Sequence, residues 1–182
     1  MGFSSGIVGL PNSGKATPFN ILDGHVKIRQ GMKPGDIGNI LYLHGVLYNI
    51  ERGWNHLFEA YVADSLSKFA LTYNEDSESL WIAESGQNIA GSIGVVDRTN
   101  NQAQLRWFIV HPEMRGKGLG KNLLDAALSF CKLKGFNNVF LWTVSELPVA
   151  AHIYESYGFK ITEEKTHRIW DMVTEIKYER SL

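Results

Sequence analysis

The stretch that most constrains this chain is Arg115-Gly116-Lys117-Gly118-Leu119-Gly120, set between two segments of different periodicity. Upstream, Gln102 to Val110 reads as a strand that Pro112 stops, because proline cannot donate a ladder hydrogen bond. Downstream, Gly118 to Lys134 carries Leu119, Leu123, Leu124, Ala127, Leu128 and Cys131 at helical spacing. Lys132 and Lys134 suit the negative end of that helix, and Gly135 is a natural terminator. A strand that becomes a helix through three glycines leaves the first helical N–H groups unpaired at the positive end of the dipole, where they can receive phosphate oxygens. Glycine at 116, 118 and 120 lets a pyrophosphate approach the main chain, and Arg115, Lys117 and Lys121 add positive charge at the rim. The same residues also read as a glycine-rich turn with solvated basic side chains.

The segments around this motif follow one another with short connections. His25 to Gln30 reads as a first strand, and Lys33-Pro34-Gly35 as a turn, after which Asp36 can cap a helix. Ile37, Ile40, Leu41, His44, Leu47 and Tyr48 mark the buried face of that helix, which Gly53 ends. Asn55 can cap a second helix with Phe58, Tyr61, Val62, Leu66, Phe69 and Tyr73 inward. Three strands follow, Ser79 to Glu84, Ile89 to Asp97 and Gln102 to Val110, and the tight linkers SGQN and RTNN predict an antiparallel meander. Beyond the central helix the pattern predicts a strand over Val139 to Val144 and a short helix over Pro148 to Tyr157. Closing strands are expected over Phe159 to Glu164 and Arg168 to Tyr178. The expected architecture is α/β (α+β): a mixed, mostly antiparallel sheet of about seven strands with helices on both faces.

Bulk properties exclude several classes of function. A net charge of −1 gives no electrostatic footprint for nucleic acid. No apolar run approaches the roughly 20 residues that cross a bilayer, and no secretory signal pattern is visible. A lone cysteine, Cys131, leaves no intramolecular disulfide and suits a reducing compartment, so the cytoplasm is expected. A Rossmann fingerprint would need G-x-G-x-x-G directly after its strand and usually opens its domain. Here G-x-G-x-G follows four intervening residues, and a meander precedes it.

Downstream lies Tyr154-Glu155-Ser156-Tyr157-Gly158-Phe159. R-x-x-G-x-G opening a helix, then strand, helix and Y-x-x-x-G-F, resembles the GNAT superfamily of acyl-CoA-dependent N-acetyltransferases over about residues 25 to 182. The segments HGVLYNIERGW, LWTVSELPVAAHIYESYGF and RIWDMVTEIKYE resemble a bacterial subgroup often fused behind a MarR-type regulator, here in a copy that would stand alone. The resemblance implies acetyl-CoA as cosubstrate, no metal, a small-molecule amine acceptor, and a homodimer as is common among relatives. It implies that the main chain of Arg115, Gly116, Lys117, Gly118, Leu119 and Gly120, with Lys121 beside it, cradles the coenzyme pyrophosphate. Main-chain groups of Ile109 and Val110 would hold the pantetheine like an added strand, and Tyr154 would protonate the leaving thiolate. Where many relatives carry an Asn at the start of the short helix, Leu147 stands here.

The expected reaction is transfer of the acetyl group to a primary amine of a small-molecule or amino-acid-like acceptor, by direct attack in a ternary complex. A base should drain the amine proton, yet QAQLRWFIV lacks the Glu that several superfamily members place on this strand. Glu84, Glu51, Glu59, His44 and His111 are the candidates, each of which also reads as a structural or solvated residue. Glu51, Trp54, Glu59, Glu84 and Arg106 are the expected acceptor contacts; Arg106 can face an acidic acceptor or solvent. The missing Glu and Asn leave a second reading, a non-catalytic acyl-CoA-binding sensor.

The chain opens differently. GIVGLPNSGKATPFN resembles the P-loop start of Obg-like ATPases, with Gly9 to Lys15 correctly spaced. Ala16 stands where a magnesium-binding Ser or Thr belongs, and Pro18 intrudes on the helix that should follow. A P-loop domain needs on the order of 150 residues, and so does the transferase core, so 182 residues cannot hold both. Residues 1–24 are therefore expected to be a leader or fusion fragment, or else an extension that packs on the core, with the working domain over 25–182.

Overall fold

The computed structural model describes residues 26–168 and 171–182, so residues 1–24 and their P-loop resemblance lie outside the described residues. A seven-stranded sheet runs in the order β1-β2-β3-β4-β5-β7-β6. Its strands are β1 (Lys27–Gln30), β2 (Ser79–Ser85), β3 (Asn88–Arg98), β4 (Gln102–Val110), β5 (Asn138–Val144), β6 (Lys160–Arg168) and β7 (Met172–Ser181). The helices are α1 (Asp36–Arg52), α2 (His56–Thr72), α3 (Leu119–Leu133) and α4 (Pro148–Ser156). Every neighbouring pair is antiparallel except β4 and β5.

The mixed sheet with helices on both faces is as the periodicity predicts. On one face Ile40, Leu43 and Leu47 of α1 and Phe58, Leu66 and Phe69 of α2 pack with Leu80, Ile82 and Trp107. On the other, Leu123, Leu124, Ala127 and Cys131 of α3 and Tyr154 of α4 pack with Ile93, Val95 and Leu105. The expected meander forms through a two-residue turn at Gly86-Gln87 and a short 3-10 turn at Thr99–Asn101. Asn100 and Asn101 adopt left-handed φ in that turn, as short polar side chains tolerate.

Three local expectations need correction. Asp36 does not accept from the N–H groups of α1: it is buried, bonds the backbone N–H of Lys33 at 2.6 Å and pairs with Arg29 at 2.5 Å. Arg29 also pairs with Glu84, so this aspartate ties the helix start to the first two strands. Asn55 does cap α2, accepting from the N–H of Leu57 at 2.9 Å. The first strand begins at Lys27, so Val26 lies outside it, while His25 is outside the described residues. Arg168 closes β6 instead of opening β7, because β6 is exposed along nearly its whole length and carries no apolar alternation to mark its end.

The feature that positions a site is a parting of strands. β4 pairs with β5 only over Gln102–Gln104 against Asn138–Phe140, although both strands continue for several residues. Beyond that point β4 and β5 diverge, and a cleft opens between them.

Candidate active site

The cleft has a volume of about 650 Å³ and is lined by β4 from Gln104 to Val110, β5 from Leu141 to Val144, and parts of α1, α2, α4 and the glycine loop. Its floor holds Tyr154, whose ring lies 6.2 Å from Phe108, 6.0 Å from Phe159 and 5.8 Å from Tyr178. Burial raises the phenol above its ordinary range, and Tyr48 and Tyr178 add to the push. Tyr154 therefore stays protonated at neutral pH and keeps a proton available to donate. Gly158, at φ +81°, ends α4 and lets Phe159 turn back under the tyrosine.

At one end of the cleft, α3 begins. Its N-cap is Gly118 at φ +82°, and no side chain caps the helix. Gly116 is also left-handed, and a Cβ at either glycine would meet nothing within 4 Å, so the main chain is open to an approaching group. Gly116, Gly118, Gly120 and Lys121 line the cleft; Lys117 and Leu119 are not among the lining residues, and Leu119 is instead buried in the core. Arg115 folds back over this end. Its Nε donates to the Val110 carbonyl at 3.0 Å, and its guanidinium pairs with Glu51 at 2.8 Å. One side chain thus bridges the glycine loop, β4 and the last turn of α1.

An uncapped helix N-terminus, open glycine backbone and the basic side chains of Arg115 and Lys121 suit a polyanionic pyrophosphate. The segment of β4 freed from β5 suits an extended amide chain that adds as a strand. The residues present fit an acyl-coenzyme A.

At the other end, β4 carries a bulge. Trp107 adopts φ +49°, and the register with β3 shifts between Ser92 and Gly94. Strict alternation would send Arg106 and Trp107 to opposite faces. The bulge instead keeps Trp107 in the core beside α2, and both Arg106 and Trp107 line the cleft. Three contacts hold this conformation. Ser92 Oγ donates to the Trp107 carbonyl at 2.7 Å, the Trp107 indole donates to Ser65 Oγ at 3.1 Å, and the ring lies against Gly94.

The sequence-predicted acceptor residues divide. Glu51, Trp54 and Arg106 line the cleft. Glu84 does not; it pairs with Arg29 at the far side of the sheet. Glu59 is also outside, its carboxylate lying against Gly45 between α1 and α2. His111 is buried under the loop, where its ring accepts from the Glu113 N–H at 3.3 Å. His44 lines the cleft, with Nδ1 donating to the Ile40 carbonyl at 2.8 Å. Burial lowers its pKa to about 4, Arg106 contributing, so it is a neutral imidazole and a weak base. Leu147 lines the cleft and precedes α4 without a side-chain cap.

Glu175, Tyr61 and Tyr48 escaped the sequence reading. Glu175 reaches the cleft from β7, which only the strand order brings next to β5. Tyr48 and Tyr61 sit at helical spacing and read as core, although their positions beside Glu51 and after Trp54 placed them near the cleft.

Residues 47–159 match the acetyltransferase (GNAT) family. Human N-acetyltransferase 8B is 26% identical over 132 residues, 69% of this chain and 58% of that protein. The chain spans a little over half the length of the curated relatives it matches first. Among solved structures, an acetyltransferase from Streptococcus agalactiae superposes with a TM-score of 0.72 at 22% identity, covering 88% of this chain and 100% of that one. A Bacillus anthracis protein solved in complex with acetyl coenzyme A superposes with a TM-score of 0.56 at 22% identity, covering 63% of this chain and 68% of that one.

Proposed function

The chain belongs to the acetyltransferase (GNAT) family, and on that premise we propose that it is an acyl-CoA-dependent N-acetyltransferase acting on a primary amine of a small, amino-acid-like acceptor. The observation that carries the reading is the junction of three features in one cleft: the open glycine turn at the start of α3, the freed edge of β4, and the protonated Tyr154 between them.

Acetyl-CoA supplies a thioester whose carbonyl carbon accepts the amine nitrogen, so that a C–N bond replaces the C–S bond. The main chain of Arg115 to Gly120 binds the pyrophosphate, with Lys121 adding charge at the rim. Arg115 exchanges its contacts with Glu51 and the Val110 carbonyl for phosphate oxygens, which frees that carbonyl for the amide arm. Main-chain groups at Ile109 and Val110 orient the arm and polarise the carbonyl. Tyr154 gives its proton to the departing sulfur and regains one from solvent. The attacking nitrogen must first lose a proton, because an alkylammonium of pKa near 10 leaves roughly one molecule in a thousand neutral at pH 7. The N-acetyltransferase relatives and the acetyl-CoA complex of one structural neighbour support this chemistry.

Calorimetric titration with acetyl-CoA, followed by turnover with an amine panel, tests the reading. Tyr154→Phe is expected to lower kcat by about 10²-fold or more while acetyl-CoA affinity stays unchanged. Acetyl-CoA binding without wild-type turnover on any amine would instead support an acyl-CoA-binding sensor, and no acetyl-CoA binding would sink both.

A further inference from the structure

The acceptor end of the cleft carries one charge of each sign. Arg106 lies over the Trp107 ring at 5.4 Å, and its charge favours the ionised form of the Tyr61 phenol. Among the described residues no carboxylate is in ion-pair contact with it. A guanidinium held against aromatic walls loses hydration, and an anionic partner offsets that loss.

Glu175 supplies the opposite sign. Its side chain is 15% exposed, it lines the same cleft, and its Oε2 is held by His167 Nε2 at 2.7 Å. Both charges are felt at the Tyr61 phenol, Arg106 favouring its ionised form and Glu175 opposing it. Tyr61 is thus near both groups. The rest of this end is aromatic: Tyr48 stacks on Trp54 at 4.8 Å, and Trp54 lies 4.6 Å from Phe58.

We infer that the acceptor is a zwitterion, an α-amino acid with an apolar side chain, whose carboxylate pairs with Arg106, whose ammonium faces Glu175, and whose side chain rests on Tyr48, Trp54 and Phe58. This rests on the acetyltransferase reading above. Arg106 precedes Ile109 by three residues on β4, at most roughly 10 Å because the bulge at Trp107 shortens the strand between them. That span accommodates an α-amino acid between the guanidinium and the freed main chain. The ammonium proton passes to the Glu175 carboxylate and then to solvent, leaving the nitrogen lone pair for the acetyl carbon. Arg106 is a specificity residue; Glu175 orients the nitrogen and takes its proton.

The test is calorimetric titration of the full chain saturated with coenzyme A, which cannot turn over. The probes are L-phenylalanine, L-leucine and L-methionine, each paired with its carboxamide. The wild type is expected to bind each acid at least tenfold tighter than its amide. Arg106→Leu should abolish that preference, and Arg106→Lys should restore part of it. Glu175→Gln should weaken acid and amide alike, since both carry the ammonium. Unchanged coenzyme A affinity in each variant establishes that it has folded. Equal binding of acid and amide, tighter binding of the amide, or binding of none of the six overturns the inference and leaves the acetyltransferase reading intact. Failure of the wild type to bind coenzyme A is seen before any acceptor is added and overturns both.

Discussion

His44 shows how far burial changes what a residue can do. Its place on the apolar face of α1 left open a base or a core histidine, and the structure makes it a neutral cleft-wall imidazole with Nδ1 committed to Ile40. Its folded pKa of about 4 lies below the ordinary 6.5, so between those values the unfolded chain binds the extra proton. The stability it contributes is complete above pH 6.5 and is lost as pH falls towards 4, by up to roughly 3 kcal/mol. Urea unfolding across pH 4.5–7.5 should show a shallower acid loss for His44→Leu than for the wild type. Parallel slopes would mean that the imidazole is not held neutral. Other placements were legible because the motif itself specifies them: Gly116 and Gly118 take the left-handed φ that few other residues tolerate, and Tyr154 sits four residues before the glycine that follows its helix.

At the scale of elements, the bulge in β4 decides where Trp107 stands beside the cleft. Nothing in QAQLRWFIV announces it, since a tryptophan at positive φ has no compositional signature. Its supports lie elsewhere, in Ser92 and Gly94 of β3 and Ser65 of α2. A Cβ at Gly94 would come within 2.7 Å of the indole, so Gly94→Ala must displace Trp107. We expect a loss of about 1–3 kcal/mol in urea unfolding at an unchanged m-value. Acetyl-CoA affinity should change less than acceptor turnover, because the glycine turn is built on α3 rather than on the bulge. A Gly94→Ala protein of wild-type stability would show that the ring is free to move. The long segments α1, α2, β2 to β4 and α3 were predicted within a residue or two, since each is strongly periodic and bounded by Gly, Pro or Asn. The β6–β7 hairpin was displaced because its polar, exposed strand gives no such signal.

For the molecule as a whole, the described fold begins with Val26 packed against the core and β1 paired to β2. A chain beginning at His25 is therefore expected to bind acetyl-CoA as tightly as the full chain, and neither should bind ATP or GTP with magnesium, by calorimetry. A tenfold weaker affinity of the shorter chain would show that residues 1–24 take part in the site. Among the described residues no helix is long and apolar enough to cross a membrane.

The order of strands and helices, the phosphate-receptive turn at Gly116–Gly120 and the tyrosine of the floor were determined by local sequence, because dihedral preference, periodicity and capping act over a few neighbouring residues. The composition of the cleft at the end proposed for the acceptor was decided only by tertiary structure. Glu84 and Glu59 were equally plausible in sequence, yet the sheet sends one to Arg29 and the helix pair holds the other against Gly45. Glu175 enters from a strand that inserts between β5 and β6. A cleft made where β4 and β5 part collects side chains from segments far apart in the chain. Which of them face it depends on strand order, one bulge and the packing of two helices, none of which a local pattern encodes.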